Sequence, residues 1–120
     1  MNIYEQNMRR VVKIFKALSD SNRLRILKML EVRSLCVCEI TEVLQLATST
    51  VSKHLSLLRD ADLILDRKEG KWVYFVLNPR AEKYVSELLP LIKKWLPNDP
   101  VVLQDRDKVA RVDKETICKV

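Results

Sequence analysis

The sequence has few of the residues that identify several classes of protein. Among its 120 residues there is one glycine, Gly70, and one histidine, His54. Its three cysteines are too few, and odd in number, for the disulfide framework of a small secreted domain. With a single histidine, no Cys-x-x-Cys pair and no phosphate-binding loop, the chain offers little catalytic chemistry. We therefore expect neither an enzyme nor an organic cofactor.

Long apolar runs are also absent. No segment approaches the roughly 18 consecutive apolar residues that a helix needs to span a bilayer. Residues 1–10 are polar and lack the apolar stretch of a signal peptide. We therefore expect a cytoplasmic protein with no membrane partner.

The charge is distributed unevenly along the chain. The net charge is +6. Residues 1–96 hold 17 Lys and Arg against 11 Asp and Glu, whereas residues 97–120 hold five of each. A basic body suits a polyanionic partner, chiefly nucleic acid. Composition alone favours this interpretation no more than that of a soluble domain with a basic surface.

Hydrophobic periodicity predicts the order of the secondary-structure elements. Apolar residues at helical spacing predict helices over about residues 4–17, 23–30, 38–46, 48–60 and 80–96. The third and fourth are separated by only a few residues, as in a helix-turn-helix. Between the last two, an alternating segment and an aromatic, β-branched segment flank Gly70 and predict a β-hairpin.

This order is that of a winged helix-turn-helix. We predict a mainly α fold with about five helices and a two-stranded wing over residues 1–96, as one DNA-binding and dimerisation domain. Residues 97–120 mix charges and isolated apolar residues without a clear period, so a mobile or weakly helical C-terminal tail is predicted there.

Short hydroxyl and basic side chains mark the second helix of the helix-turn-helix and the hairpin tip. The helix fits the major groove of B-DNA, and the tip suits the adjacent phosphates or minor groove. Such charges also occur on merely solvated faces, and the order of elements is what favours DNA binding. The candidate DNA-binding residues are Thr48, Ser49, Thr50, Ser52, Lys53, His54, Arg67, Lys68 and Lys71.

Four segments resemble the ArsR/SmtB family of winged-helix, metal-sensing repressors, namely residues 17–27, 35–40, 49–59 and 66–74. The Cys36-Val37-Cys38 segment is similar to the arsenic-responsive, ArsR-like branch. The resemblance implies a repressor whose DNA affinity falls when a metal or metalloid binds. Gln45 and Asp62 depart from the family pattern, because glycine is common there at helix ends.

Cys36 and Cys38 are the candidate inducer ligands. Thiolates are soft and favour arsenite, antimonite and other soft metals over hard ions. The two positions point about 200° apart on an ideal helix, so a shared ligand requires a frayed or distorted first turn. The arsenic branch often has a third cysteine where Thr41 stands here, and Cys118 of either subunit is the candidate replacement. The alternatives are that the pair is buried and structural and that Cys118 is a bystander.

The first and last predicted helices carry more apolar residues than one small core needs, including Trp95 and Leu96. They predict a homodimer, which a palindromic operator also requires. The expected function is a dimeric repressor of metalloid-resistance genes, released from operator DNA by arsenite or antimonite. The alternatives are a repressor switched by thiol oxidation or persulfide, and a DNA-binding protein without a ligand.

Overall fold

The computed structural model describes residues 2–118, which form seven helices and three strands. In chain order they are α1 (Ile3–Leu18), α2 (Ser21–Leu30), β1 (Leu35–Cys36), α3 (Val37–Leu44), α4 (Thr48–Asp60), β2 (Ile64–Glu69), β3 (Trp72–Leu77), α5 (Lys83–Lys94), α6 (Pro100–Arg111) and α7 (Lys114–Ile117). This order confirms the predicted winged helix-turn-helix, with α3 and α4 as the helix pair and β2 and β3 as the wing. Within the described range, every helix is too short or too polar to cross a membrane.

Side-chain caps explain where several helices begin. Asn2 accepts a hydrogen bond from the backbone N–H of Glu5 at the start of α1. Asp20 accepts from two N–H groups of the first turn of α2, and Asp99 does the same for α6. These acceptors satisfy N–H groups that have no partner within the helix.

The core lies where α2 meets the helix pair. Ile26, Leu27 and Met29 of α2 are fully buried, as are Ile40 of α3 and Leu58 of α4. Each such side chain contributes roughly 1.5–3 kcal/mol through burial. This shared core fixes α3 and α4 relative to one another.

The sheet has one more strand than the sequence predicts. The strand order is β1-β3-β2 and both pairings are antiparallel, with Glu69 opposite Trp72 at the wing tip and Cys36 opposite Tyr74 at the other edge. Because β1 has only two residues, periodicity could not reveal it. Gly70 adopts φ +60° in the two-residue turn, a left-handed conformation that glycine adopts without steric cost.

Gln45 and Asp62 adopt the left-handed backbone conformation that glycine adopts most easily. Both residues have left-handed φ, 57° and 63° respectively, at the ends of α3 and α4. The departures from the family pattern therefore leave the local turns intact.

Residues 97–120, predicted as a mobile or weakly helical tail, are largely helical in the structure, and residues 119 and 120 lie outside the described residues. Residues 100–117 form α6 and α7, and α6 packs on α2 and α3. Pro100 occupies the first turn of α6, where proline is well accommodated. The buried face of α6 consists of Val102, Asp105 and Val109. A charged residue at its centre breaks the apolar pattern that sequence reasoning looks for.

Candidate DNA interface and thiol site

The recognition helix α4 presents a polar face to solvent. Its buried face, formed by Val51, Leu55 and Leu58, holds it against the core. The predicted DNA-binding residues of this helix are exposed except for His54, which is half-buried; they are Thr48, Ser49, Thr50, Ser52, Lys53 and His54. The structure thus places these side chains on one helix that begins immediately after a tight turn.

Arg23 of α2 contacts this helix at His54. Its Nη1 lies 3.1 Å from Nδ1 of His54, while its Nε and Nη2 donate to the backbone carbonyls of Ala17 and Lys16. Because a guanidinium only donates hydrogen bonds, Nδ1 of His54 is the acceptor in this contact. Sequence reasoning missed Arg23, since its sequence position does not indicate that α2 and α4 meet there.

The basic residues of the wing lie close together at its tip. Arg67, Lys68 and Lys71 are exposed there. Arg67 pairs with Glu69 at 2.9 Å, and Lys71 places its ammonium 5.3 Å from the ring centroid of Trp72. These contacts are exposed and weak, so DNA phosphates can replace them.

Cys36 and Cys38 lie on either side of a strand-to-helix junction. Cys36 ends β1 and is the N-cap of α3, where its backbone N–H donates to Oε1 of Glu39 at 2.9 Å. Cys38 lies in the first turn of α3. Burial raises the pKa of the Cys36 thiol, and the charge of Glu39 raises it further. Cys36 is therefore held in the protonated form more strongly than an ordinary cysteine.

The structure brings Cys118 to Cys38 rather than to Cys36. Cys38 and Cys118 form a disulfide with Cα atoms 5.6 Å apart, although 80 residues separate them in sequence. Cys36 is buried and, among residues 2–118, is the free cysteine. Within the same residues, no three Cys, His, Asp or Glu side chains are arranged to hold a metal ion. Two of the three predicted ligands therefore meet, and the third lies close by in sequence on the preceding strand.

Polar contacts attach α6 to the body near the cysteines. Arg25 makes a two-pronged ion pair with Asp105, through Nε at 2.8 Å and Nη2 at 2.9 Å. Arg33 donates to the carbonyls of Val109 and Val112 at the end of α6, and also to Glu39, the residue that accepts from Cys36. The end of α6 and the start of α3 thus share one guanidinium.

A large apolar surface lies on α1 and α5. Tyr4 is 81% exposed, and Phe15 is 67% exposed. Leu91, Trp95 and Leu96 are also exposed in or just beyond α5. An exposed patch of this kind on a small protein is typical of an interface.

Comparison with known proteins assigns the fold to a family. Residues 20–65 match the family model of the bacterial regulatory proteins of the arsR family. An arsenical resistance operon repressor of Escherichia coli is 39% identical over 79 residues, covering 65% of this chain and 68% of the relative. The chain belongs to the ArsR family.

Two solved structures share the fold of this ArsR-family protein. Reduced HlyU from Vibrio cholerae matches with a TM-score of 0.60 and 33% identity, over 77% of this chain and 94% of that one. The homodimeric winged helix-turn-helix DNA-binding domain of Mb0332 from Mycobacterium bovis, a possible ArsR-family regulator, matches with a TM-score of 0.65 and 26% identity, over 78% and 83%. The protein is accordingly a DNA-binding transcriptional regulator.

Proposed function

We propose that this ArsR-family protein is a dimeric repressor that arsenite or antimonite releases from operator DNA by binding Cys38 and Cys118, with Cys36 as a third ligand. The observation that carries the proposal is the meeting of Cys38 and Cys118, 80 residues apart in sequence. Their sulfurs can approach one soft atom together, whereas two thiols two positions apart on an ideal helix cannot.

Arsenite binds the reduced thiols. Because Cys38 and Cys118 form a disulfide in this structure, an external thiol must first supply two electrons and two protons, and the binding reaction itself then needs neither oxidant nor reductant. Each thiol that bonds to arsenous acid gives its proton to a departing hydroxide, so every new As–S bond releases one water. Two thiols leave one As–OH, and a third sulfur replaces it. Cys36 enters last, because its raised pKa disfavours the thiolate. The name of the Escherichia coli relative, an arsenical resistance operon repressor, supports this choice of inducer.

Release follows from where the two sulfurs lie. Cys38 belongs to the first turn of α3, and α3 packs against the recognition helix α4. A ligand that joins Cys38 to Cys118 fixes α3 to the C-terminal segment. If this arrangement fits DNA less well, the ligand shifts the population away from the bound state by the difference in its affinities.

DNA contact in the proposal uses α4 in the major groove and the wing tip on the flanking phosphates. The apolar surface of α1 and α5 supplies the dimer interface, as the homodimeric relative from Mycobacterium bovis suggests. Two-fold symmetry then places the half-sites about one turn of DNA apart.

The test measures release from a fluorescent operator duplex that the wild-type protein selects from a random pool. With the protein reduced beforehand, arsenite should release the wild type, should not release Cys38→Ser or Cys118→Ser, and should release Cys36→Ser only at higher concentration. All three variants should bind the duplex as the wild type does without arsenite, since serine is close in size to cysteine. Release of Cys38→Ser at the wild-type arsenite concentration would contradict the proposal.

The Cys38–Cys118 disulfide favours a second candidate, a repressor switched by thiol oxidation. Hydrogen peroxide would take two electrons and two protons from the thiol pair, giving the disulfide and two waters. Cys36→Ser separates the two candidates, because Cys36 is a ligand in one and a bystander in the other. A repressor that senses peroxide keeps its full response in this variant, whereas one that senses arsenite loses part of its response.

A further inference from the structure

The C-terminal helix α7 contacts the wing as well as the cysteine site. The ammonium of Lys114, its first residue, lies 5.7 Å from the ring centroid of Trp72 and 5.4 Å from that of Tyr74. Trp72 and Tyr74 are two positions apart on β3 and therefore point to the same face of the sheet. Both distances lie within the range of an attractive cation–π contact. The neighbouring Tyr74 side chain raises the pKa of Lys114.

Lys114 and Cys118 are joined by a single helical turn. The backbone N–H of Cys118 donates to the carbonyl oxygen of Lys114 at 2.7 Å. Whatever fixes the Cys118 sulfur to Cys38 therefore also fixes Lys114 against the two aromatic rings. Tyr74 is also the β-sheet partner of Cys36, so strand β3 of the wing pairs with the strand that ends at Cys36.

We propose that Lys114 is a positioning residue that transmits ligand binding at Cys38 and Cys118 to the wing, by holding Trp72 and Tyr74 when α7 is docked. The proposal rests on the proposed function, because it assigns the wing as the element that the thiol site controls. Without the ligand, α7 can leave the rings, and the wing is free to adapt to DNA. With the ligand bound, the wing keeps the orientation that it has in this structure, where the disulfide joins Cys38 to Cys118.

The experiment compares Lys114→Gln, which removes the cation, with Lys114→Arg, which keeps it. Lys83→Gln is the matched control, since Lys83 lies 6.0 Å from the ring of Tyr84 on α5 and does not contact the wing. Operator affinity is measured with and without arsenite. Two lost cation–π contacts should reduce the arsenite-induced loss of affinity by about tenfold in Lys114→Gln. Lys114→Arg and Lys83→Gln should respond as the wild type does.

A second readout follows Trp72 directly. In a Trp95→Phe background Trp72 is the remaining tryptophan, and acrylamide quenching of its fluorescence reports its exposure. Arsenite should reduce quenching in this background and should leave it unchanged once Lys114→Gln is added. A smaller arsenite response without this change in quenching would overturn the inference, because Lys114 would then act elsewhere.

The two proposals fail in different ways. If arsenite releases wild-type and Lys114→Gln protein equally, the inference about the wing is wrong and the proposed function stands. If arsenite does not release the wild type, both are wrong.

Discussion

Helices α4 and α6 both pack on α2, yet different side chains hold them there. The recognition helix α4 is held by Val51, Leu55 and Leu58, which are all buried and all apolar. The C-terminal helix α6 has Asp105 at the centre of its buried face, flanked by two valines. Burial of apolar surface holds the first helix, and a pairing of charges holds much of the second.

This difference suits the parts the two helices play in the proposed function. Apolar packing is not directional and fixes α4 as part of a rigid core. Ion pairs lose much of their contribution when water enters, so a segment attached by them can leave the body as a unit. Two ion pairs connect α6 to the body, Arg25 with Asp105 and Arg106 with Glu31. Arg33 adds hydrogen bonds to carbonyl oxygens at the end of α6. The cysteine link lies at the end of this segment, where it can decide whether the segment stays docked.

The largest effect is expected from breaking the central ion pair of α6. Asp105→Ala would leave Arg25 without its partner beside a buried surface; the Asp105 side chain is 2% exposed and that of Arg25 is 25% exposed. Removing one member of a buried pair costs about 3–5 kcal/mol, and the partial exposure of Arg25 reduces this to about 2–4 kcal/mol in the free energy of unfolding. Urea denaturation measures the change.

The control for this prediction lies on the same helix. Asp107 pairs with Arg111 at 3.1 Å, but both side chains are more than half exposed. Asp107→Ala should change the free energy of unfolding by no more than about 0.5 kcal/mol. Equal effects of Asp105→Ala and Asp107→Ala would show that charge pairing does not hold α6 in place.

The contrast between the two helices also explains which features could be predicted from the sequence. The apolar period of α4, the glycine turn of the wing and the exposed hydroxyl and basic side chains were all predictable, because each follows a local rule. The position of Arg23 beneath His54 was not, since it depends on how α2 crosses α4. The docking of α6 was missed because Asp105 looks like a surface residue until Arg25 is found opposite it.

The cysteine site, too, was predictable only in part. The requirement for a first-turn or distorted position was predictable from helix geometry, and Cys36 and Cys38 do lie at a strand-to-helix junction. The approach of Cys118 depends on α6 and α7 being ordered, so the sequence could offer it only as one alternative.

A smaller effect is expected on the recognition side. Lys53→Ala removes an exposed cation from α4 without touching its buried face. Operator affinity should fall by about tenfold, and the slope of log affinity against log salt should decrease by about one, as for the loss of one phosphate contact. Arsenite binding should not change, because Lys53 lies on the helix face opposite the core. Lys94→Ala, an exposed lysine at the end of α5, is the control and should leave the salt slope unaltered.

The smallest effect is expected from Asp20, the N-cap residue of α2. Partial burial acts to raise its pKa, but hydrogen bonds from the N–H groups of Arg23 and Asn22, together with the charge of Arg23, outweigh burial and lower the pKa below 3.8. A lowered pKa in the folded state means that the ionised cap stabilises the fold above the ordinary aspartate range. That contribution is lost as pH falls through the lowered value. Asp20→Asn keeps a capping side chain without the charge. At pH 7 the free energy of unfolding of the wild type should therefore exceed that of the variant by about 0.5–1 kcal/mol, and well below the folded pKa the two should be equal. Thermal denaturation of both proteins over a series of pH values from 7 downwards measures the difference, and a gap that does not shrink as the pH falls would show that the charge of Asp20 is not what stabilises α2.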